Sequence, residues 1–156
     1  MIDIYAAQVI RYKRIKIISI NKMLYNTEID QQLLEWLTKQ KPLHATHSAY
    51  AHNPLCGDAV EWNIELNQTQ VIRHIHVQPE GCQLCKLSAV VSARSIHNRT
   101  LSEAQLIGQQ VYRALFQKQH DDIFSHGELM HYQRWVRYTG RYKCLYLPWD
   151  ALSQIS

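Results

Sequence analysis

The chain has 156 residues, of which 46% are hydrophobic and 19% are charged, and its formal net charge is +4. This length and composition predict one globular domain with a substantial core and exclude a largely disordered chain. It has no run of 18 apolar residues and no secretory-signal pattern at its start, so we expect a cytoplasmic protein that does not associate with membranes.

The positive charge is concentrated in residues 1–22. This segment holds five basic residues and one acidic residue, whereas residues 23–156 hold 12 of each. A nucleic-acid-binding domain needs a basic face on its folded part, so we expect no nucleic-acid partner. We therefore divide the chain into a basic N-terminal extension, residues 1–22, and a domain, residues 23–156.

The first predicted helix covers residues 28–37, and a histidine-containing stretch, which we expect to be loop with a short strand, follows it. The apolar residues of the helix share one face: Ile29, Leu33, Trp36 and Leu37. Residues 59–67 then alternate between apolar and polar side chains, which predicts a half-buried strand. Its apolar set is Val60, Trp62, Ile64 and Leu66. A turn at residues 67–70 leads into a second strand, residues 71–78, and completes an antiparallel hairpin.

The remaining elements are predicted to be helical. Residues 82–97 repeat apolar side chains at helical spacing, and Thr100 with Glu103 forms a capping box that starts the next helix. A shorter helix over residues 128–136 and a last helix complete the chain. Strands followed by helices predict an α+β fold, in which helices pack on one face of a small antiparallel sheet of about three strands.

The four cysteines suggest metal binding or thiol chemistry, because structural disulfides are rare in a reducing cytosol. Cys56 and Asp58 flank a glycine that would let both side chains reach one ion. Cys82 lies at a helix start, where the positive end of the helix dipole lowers a thiol pKa. Pro148 fits the first turn of the last helix, which would place Cys144 at the start of that helix. There Arg141 and Lys143 would favour the Cys144 thiolate.

Other interpretations of these residues remain open at this point. A single cysteine is more often a small buried apolar residue than a ligand. Cys82 and Cys85 form a CxxC pair that could be half of a zinc site, a redox pair, or one exposed and one core residue. His74 and His76 alternate with apolar residues and are expected on the exposed strand face. His44, His47 and His52 could assist a metal loop, but no spacing selects one of them.

Three motifs together resemble the NifU N-terminal family of iron–sulfur cluster assembly proteins, which includes the IscU and SufU types. They are "NPLCGD", "GCQLCKLSA" and "RYKCLYLPWDAL", and the resemblance extends from about residue 23 to residue 153. IscU-type members carry a histidine immediately before the last cysteine, where this chain has Lys143. The long interval between Cys82 and Cys144 is typical of SufU, so we assign the chain to the SufU-like branch.

The resemblance implies a metal site made of Cys56, Asp58, Cys82 and Cys144, with zinc or a transient iron–sulfur cluster as its occupant. The cluster would be held by Cys56, Cys82 and Cys144. The implied partners are a cysteine desulfurase, which supplies persulfide sulfur, and a downstream iron–sulfur carrier or apo-protein. Cys56 or Cys144 would accept the sulfur, and Cys56 is preferred by the resemblance to SufU. The protein would act in scaffolding or sulfur transfer rather than as a stand-alone enzyme.

The chain also departs from the family pattern. Cys85 stands where the family commonly has a serine, and Pro148 stands where an alanine is usual before Trp149. These departures keep two alternatives in view, a divergent paralogue with a purely structural zinc site and a thiol redox protein that uses the CxxC pair.

Overall fold

The computed structural model describes residues 27–119 and 122–156. The chain divides into two units, residues 1–32 and residues 33–156, and the strands of the described residues all lie in the second. The predicted extension, residues 1–22, lies outside the described residues. Helix α1, Glu28–Thr38, begins in the first unit and ends in the second. Of its predicted apolar stripe, Leu33 is buried, but Ile29 is 49% exposed.

A three-stranded antiparallel sheet is the framework of the second unit. Its strands are β1, His47–His52, β2, Ala59–Leu66, and β3, Ile72–Glu80, in the order β1-β2-β3. The predicted alternation of β2 is present, because Val60, Trp62 and Ile64 are fully buried whereas Glu61 on the opposite face is exposed. The register pairs Trp62 with Ala49 on one side and Val77 on the other. One face of the sheet therefore carries the core.

Three helices follow the sheet in the chain. They are α2, Gln83–Ile96, α3, Leu101–Phe116, and α4, Tyr142–Ser153. Helix α2 contacts β3, and α4 contacts β1, β2, α2 and α3. Helix α3 begins with the predicted capping box, in which Thr100 Oγ1 accepts from the Glu103 N–H and Glu103 Oε2 accepts from the Thr100 N–H. The predicted α+β fold is confirmed.

The described part of the segment between α3 and α4 contains 3₁₀ turns. They cover Asp122–Ser125, Gly127–Arg134 and Thr139–Arg141. We predicted a helix over residues 128–136, and the structure has the tighter 3₁₀ form ending at Arg134 instead. Asp122–Ser125 and Thr139–Arg141 are short pieces of the kind that connects longer elements, whereas Gly127–Arg134 is unusually long for a 3₁₀ helix.

The predicted position of Pro148 is wrong, because this proline is the seventh residue of α4 rather than part of its first turn. A proline there has no N–H to donate to the carbonyl four residues earlier, so the helix must be supported from outside. One support comes from the sheet, since Trp62 Nε1 donates to the Pro148 carbonyl at 2.7 Å. Cys144 nevertheless lies in the first turn, as predicted.

Replacing Trp62 by Phe should test this support. The variant keeps an aromatic ring but removes the buried hydrogen bond to the Pro148 carbonyl, which should lower the free energy of unfolding by about 1 kcal/mol. Urea unfolding measures the change. Trp36→Phe is the control, because Trp36 is only partly buried. An equal loss of stability in both variants would contradict the prediction.

Candidate functional site

The Cys56 loop is a closed turn that connects β1 to β2. The Asn53 N–H donates to the Asp58 carbonyl at 2.8 Å, and the Gly57 N–H donates to the Asn53 carbonyl at 2.9 Å. Asn53 Oδ1 accepts from the Leu55 N–H at 3.1 Å. Gly57 has a φ of +77°, which favours glycine over residues with a side chain. The loop therefore presents Cys56 outward, where its side chain is exposed.

The carboxylate of Asp58 joins this loop to the start of α2. Its Oδ1 accepts from the Cys82 N–H at 2.8 Å, and its Oδ2 accepts from the Cys82 Sγ at 3.0 Å. Asp58 is 1% exposed, so a charged group is held inside the protein by two hydrogen bonds from one residue. Cys82 is the N-cap of α2, and its Sγ in turn accepts from the Cys85 N–H at 3.4 Å.

Gly81 is required for this contact, and its role was not predicted from the sequence. It has a φ of +110°, and a Cβ built on it would lie 2.1 Å from Asp58 Oδ1. The only sequence signal was its place directly before a helix-starting cysteine. Gly81 therefore allows the Asp58 carboxylate to lie against the backbone at the helix start.

Cys144 completes a group of possible metal ligands. It is buried in the first turn of α4, and its Sγ lies within 4.8 Å of the ligand atoms of Cys56 and Asp58. Three of the four predicted ligands thus share one location, and Cys82 adjoins them through its contact with Asp58. Their role as ligands stays a prediction.

The pKa values of the thiols and of the carboxylate depend on one another, because these groups are hydrogen-bonded to each other. Burial acts to raise the pKa of Asp58, but hydrogen bonds from Cys82 and from the thiols of Cys144 and Cys56 outweigh burial and lower it. The pKa of Cys82 is lowered, as we predicted, but the main cause is a hydrogen bond from the Cys144 thiol, and the Cys85 N–H at the helix start contributes less. The hydrogen bond that the Cys82 thiol donates to Asp58 exists only while Cys82 keeps its proton.

The expectation that Arg141 and Lys143 favour the Cys144 thiolate is wrong. The hydrogen bond to Cys82 and the burial of the side chain both raise the pKa of Cys144. In the absence of a metal, the proton therefore stays on Cys144, and Cys82 takes the thiolate form more readily.

Cys85 is a core residue. Its side chain is 0% exposed, and burial raises its pKa strongly. Both properties make it a poor nucleophile, because the thiolate is the reactive form of cysteine. This observation weighs against the redox interpretation of the CxxC pair.

Three histidines lie away from the cysteine site, whereas His52 lies close to it. A cavity of about 950 Å³ is lined by His44, His74 and His97, next to residues at the end of β2 and the beginning of β3. The cysteines lie at the opposite end of the sheet, where β2 begins and β3 ends. His52 lines a smaller cavity of about 450 Å³ beside the Cys56 loop, together with Pro54, Lys143 and Tyr146.

Residues 18–144 match the family model of the NifU-like N-terminal domain. The match covers most of the chain, and the chain therefore belongs to the NifU-like N-terminal family, an iron–sulfur cluster assembly family. The family predicted from the three cysteine motifs is confirmed.

Individual relatives point to the SufU type. The chain is 26% identical, over 66% of its length and 69% of the relative's, to the zinc-dependent sulfurtransferase SufU of Bacillus subtilis (strain 168). Its fold matches the crystal structure of a candidate iron–sulfur cluster assembly scaffold protein for the SUF system from Fervidobacterium islandicum AW-1. That match has a TM-score of 0.66 and 22% identity, and it covers 85% of this chain and 96% of the other.

A third relative comes from the NifU branch. The N-terminal part of a nitrogen-fixing NifU-like protein from Brucella abortus matches with a TM-score of 0.65 and 20% identity, over 86% of this chain and 93% of the other. At these identities the two solved structures support the fold.

Within the described residues, no helix is long and apolar enough to cross a membrane.

Gly81→Ala should separate the site geometry from general backbone strain. The new methyl group would displace Asp58 Oδ1, so we expect the variant to lose both stability and zinc affinity. Gly57→Ala is the matched control, because it carries the same kind of positive φ but its Cβ would meet no atom within 4 Å. Urea unfolding and zinc titration measure the two effects. Equal zinc affinity in the two variants would show that the contact between Gly81 and Asp58 does not shape the site.

Proposed function

We propose that this protein accepts persulfide sulfur for iron–sulfur cluster assembly at Cys56, within a zinc site formed by Cys56, Asp58, Cys82 and Cys144. The observation that carries the proposal is the difference in solvent exposure among these residues. Cys56 is exposed, whereas Asp58 and Cys144 are 1% and 3% exposed and lie within reach of the same ion. An incoming protein can touch Cys56 without opening the fold.

The residues fit a zinc ion. Three thiolates and one carboxylate are a set that Zn²⁺ binds tetrahedrally, with ligand atoms roughly 3.5–4 Å apart. The atoms of Cys56, Asp58 and Cys144 lie within 4.8 Å of one another, and Cys82 Sγ is 3.0 Å from Asp58. When bound, zinc would keep the thiols deprotonated and hold them apart, which prevents disulfide formation. The zinc-dependent relative from Bacillus subtilis supports this assignment.

The sulfur transfer needs no further reactant. The Cys56 thiolate attacks the terminal sulfur of the donor persulfide, and a new S–S bond forms on Cys56 as the donor's S–S bond breaks. The donor cysteine leaves as a thiolate, and the persulfide proton stays on the transferred sulfur. The step resembles thiol–disulfide exchange, so its rate depends on the thiolate fraction and on access. The donor that provides a cysteine persulfide is a cysteine desulfurase.

Asp58 gives the proposed site a means of release. A carboxylate is a harder ligand than a thiolate and is the weaker partner of a soft or borderline metal. In the protein without metal it already has an alternative partner, because its Oδ1 accepts from the Cys82 N–H. The carboxylate can therefore leave an ion without becoming an unpaired buried charge.

Assembly of a transient iron–sulfur cluster is the second candidate. The thiols of Cys56, Cys82 and Cys144 would hold the cluster as cargo, which passes to a downstream carrier or apo-protein. Three thiols are available and thiolates are the usual cluster ligands. The similarity to a candidate scaffold of the SUF system supports this role.

Anaerobic purification with metal and sulfide analysis should distinguish the two roles. We expect about one zinc per chain and no acid-labile sulfide if sulfur acceptance is the main role. Iron with acid-labile sulfide would instead support the scaffold role. A protein that contains neither metal and binds neither when it is titrated would contradict the proposed site.

Mass spectrometry after incubation with a cysteine desulfurase and cysteine should identify the acceptor. We expect persulfide on Cys56 in the unmodified protein and none in Cys56→Ser, because Cys144 is buried. Cys85→Ala is the matched control, since it also removes one thiol near the site, and it should accept sulfur normally. Persulfide that persists in both Cys56→Ser and Cys144→Ser would exclude both acceptor assignments, and bound zinc without any sulfur acceptance would favour a structural metal.

A further inference from the structure

A chain of buried hydrogen bonds connects α4 to α2 and returns to α4. Trp149 Nε1 donates to Tyr132 Oη at 2.8 Å, and Ser88 Oγ lies 2.6 Å from the same oxygen. Ser88 Oγ donates to the Leu145 carbonyl at 2.5 Å. If each hydrogen is donated once, Trp149 donates to Tyr132, Tyr132 to Ser88, and Ser88 to Leu145. The Tyr132 hydroxyl also lies 3.4 Å from the Leu145 carbonyl, a longer contact than the one that Ser88 makes. The chain therefore begins and ends on α4, at two residues one helical turn apart.

This chain is fully removed from water. Ser88 and Tyr132 are 0% exposed and Trp149 is 1% exposed. Hydrogen bonds in such a chain polarise one another, and loss of one member leaves buried polar groups unsatisfied. Tyr132 also stacks on Phe124, with ring centroids 5.1 Å apart, so its ring has a support that does not depend on its hydroxyl.

The first turn of α4 needs an external support of this kind. Pro148 has no N–H to donate to the carbonyl of Cys144, so the helix holds its own first turn less firmly there. The Leu145 carbonyl, which accepts from Ser88, belongs to the residue directly after Cys144. Ser88 itself lies on α2, whose N-cap is Cys82.

We propose that Ser88 and Tyr132 are positioning residues, which set the location of the Cys144 thiol relative to Cys82 and Asp58. They touch none of the candidate ligands and act through the Leu145 carbonyl. The proposal rests on the proposed function for its consequence, metal binding at the four-residue site, but the positioning itself is a property of the protein without metal.

The test compares two serine variants on the same helix. Ser88→Ala breaks the chain at its centre, whereas Ser92→Ala removes an equally buried hydroxyl that bonds only to carbonyls of its own helix. Co²⁺ is the probe, because its thiolate charge-transfer and ligand-field bands report the number of thiolates and the geometry of a tetrahedral site. We expect Ser88→Ala to bind Co²⁺ about tenfold more weakly than the unmodified protein and with altered bands. Ser92→Ala should keep both properties.

Tyr132→Phe provides an independent variant, because it removes only the hydroxyl and keeps the ring against Phe124. It should reproduce the effect of Ser88→Ala, and the double variant should be little worse than either single one, because the residues act as one unit. If Ser88→Ala and Tyr132→Phe unfold at lower temperature but bind Co²⁺ as the unmodified protein does, the chain is purely structural and the proposal is overturned. An equal loss of affinity in Ser92→Ala would overturn it as well.

A second measurement does not require any metal. In the protein without metal, the alkylation rate of Cys144 relative to buried Cys85, followed by mass spectrometry, should rise at least several-fold in Ser88→Ala and Tyr132→Phe but not in Ser92→Ala. If the unmodified protein binds no metal and this rate still rises, the proposed function fails and the positioning role holds. If the rate is unchanged in both variants, the positioning role is overturned whatever the metal does.

Discussion

The two hydrogen bonds between Asp58 and Cys82 are the contact on which the site depends. They join the residue that precedes β2 to the N-cap of α2, across 24 residues of intervening chain. A carboxylate is well placed at a helix start, where backbone N–H groups point outward and the helix dipole favours negative charge. Gly81 lets the carboxylate approach the backbone. Cys56, two residues before Asp58, is thereby carried to the same end of α2.

The third thiol, that of Cys144, is positioned by different contacts. Helix α4 carries Cys144 in its first turn, and the interior proline leaves that turn in need of outside partners. Two buried bonds hold the helix from outside, one from Trp62 of the sheet to the Pro148 carbonyl and one from Ser88 of α2 to the Leu145 carbonyl, next to Cys144. The site is therefore assembled from three separate segments. The packing of the core positions Cys82 and Cys144, whereas Cys56 is presented by its own loop. Such a frame can keep its shape when an ion leaves.

Local rules predicted much of this structure from the sequence. The alternation in β2 and the capping box at Thr100 depend on neighbours within a few residues, and both are present. The interior position of Pro148 and the 3₁₀ form of Gly127–Arg134 depend on distant partners, and both differ from prediction. The proline removes one backbone bond to Cys144, and a side-chain bond from Trp62 of the sheet to the Pro148 carbonyl helps to hold the helix in place. The exposure of Ile29 likewise departs from the helical periodicity that predicted it would be buried.

The sequence by itself determined the family and the α+β fold, because these follow from residue type and order. For the same reason it selected the three spaced cysteines and Asp58 as candidate ligands. Only the tertiary structure decided which thiols are exposed and which are buried. Cys85 is buried, and Cys82 and Cys144 change each other's pKa, because segments far apart in the chain meet there. Cys56 stays exposed at the edge of the same place. Burial and hydrogen bonding control thiol chemistry, and both are set by neighbours that no local pattern specifies.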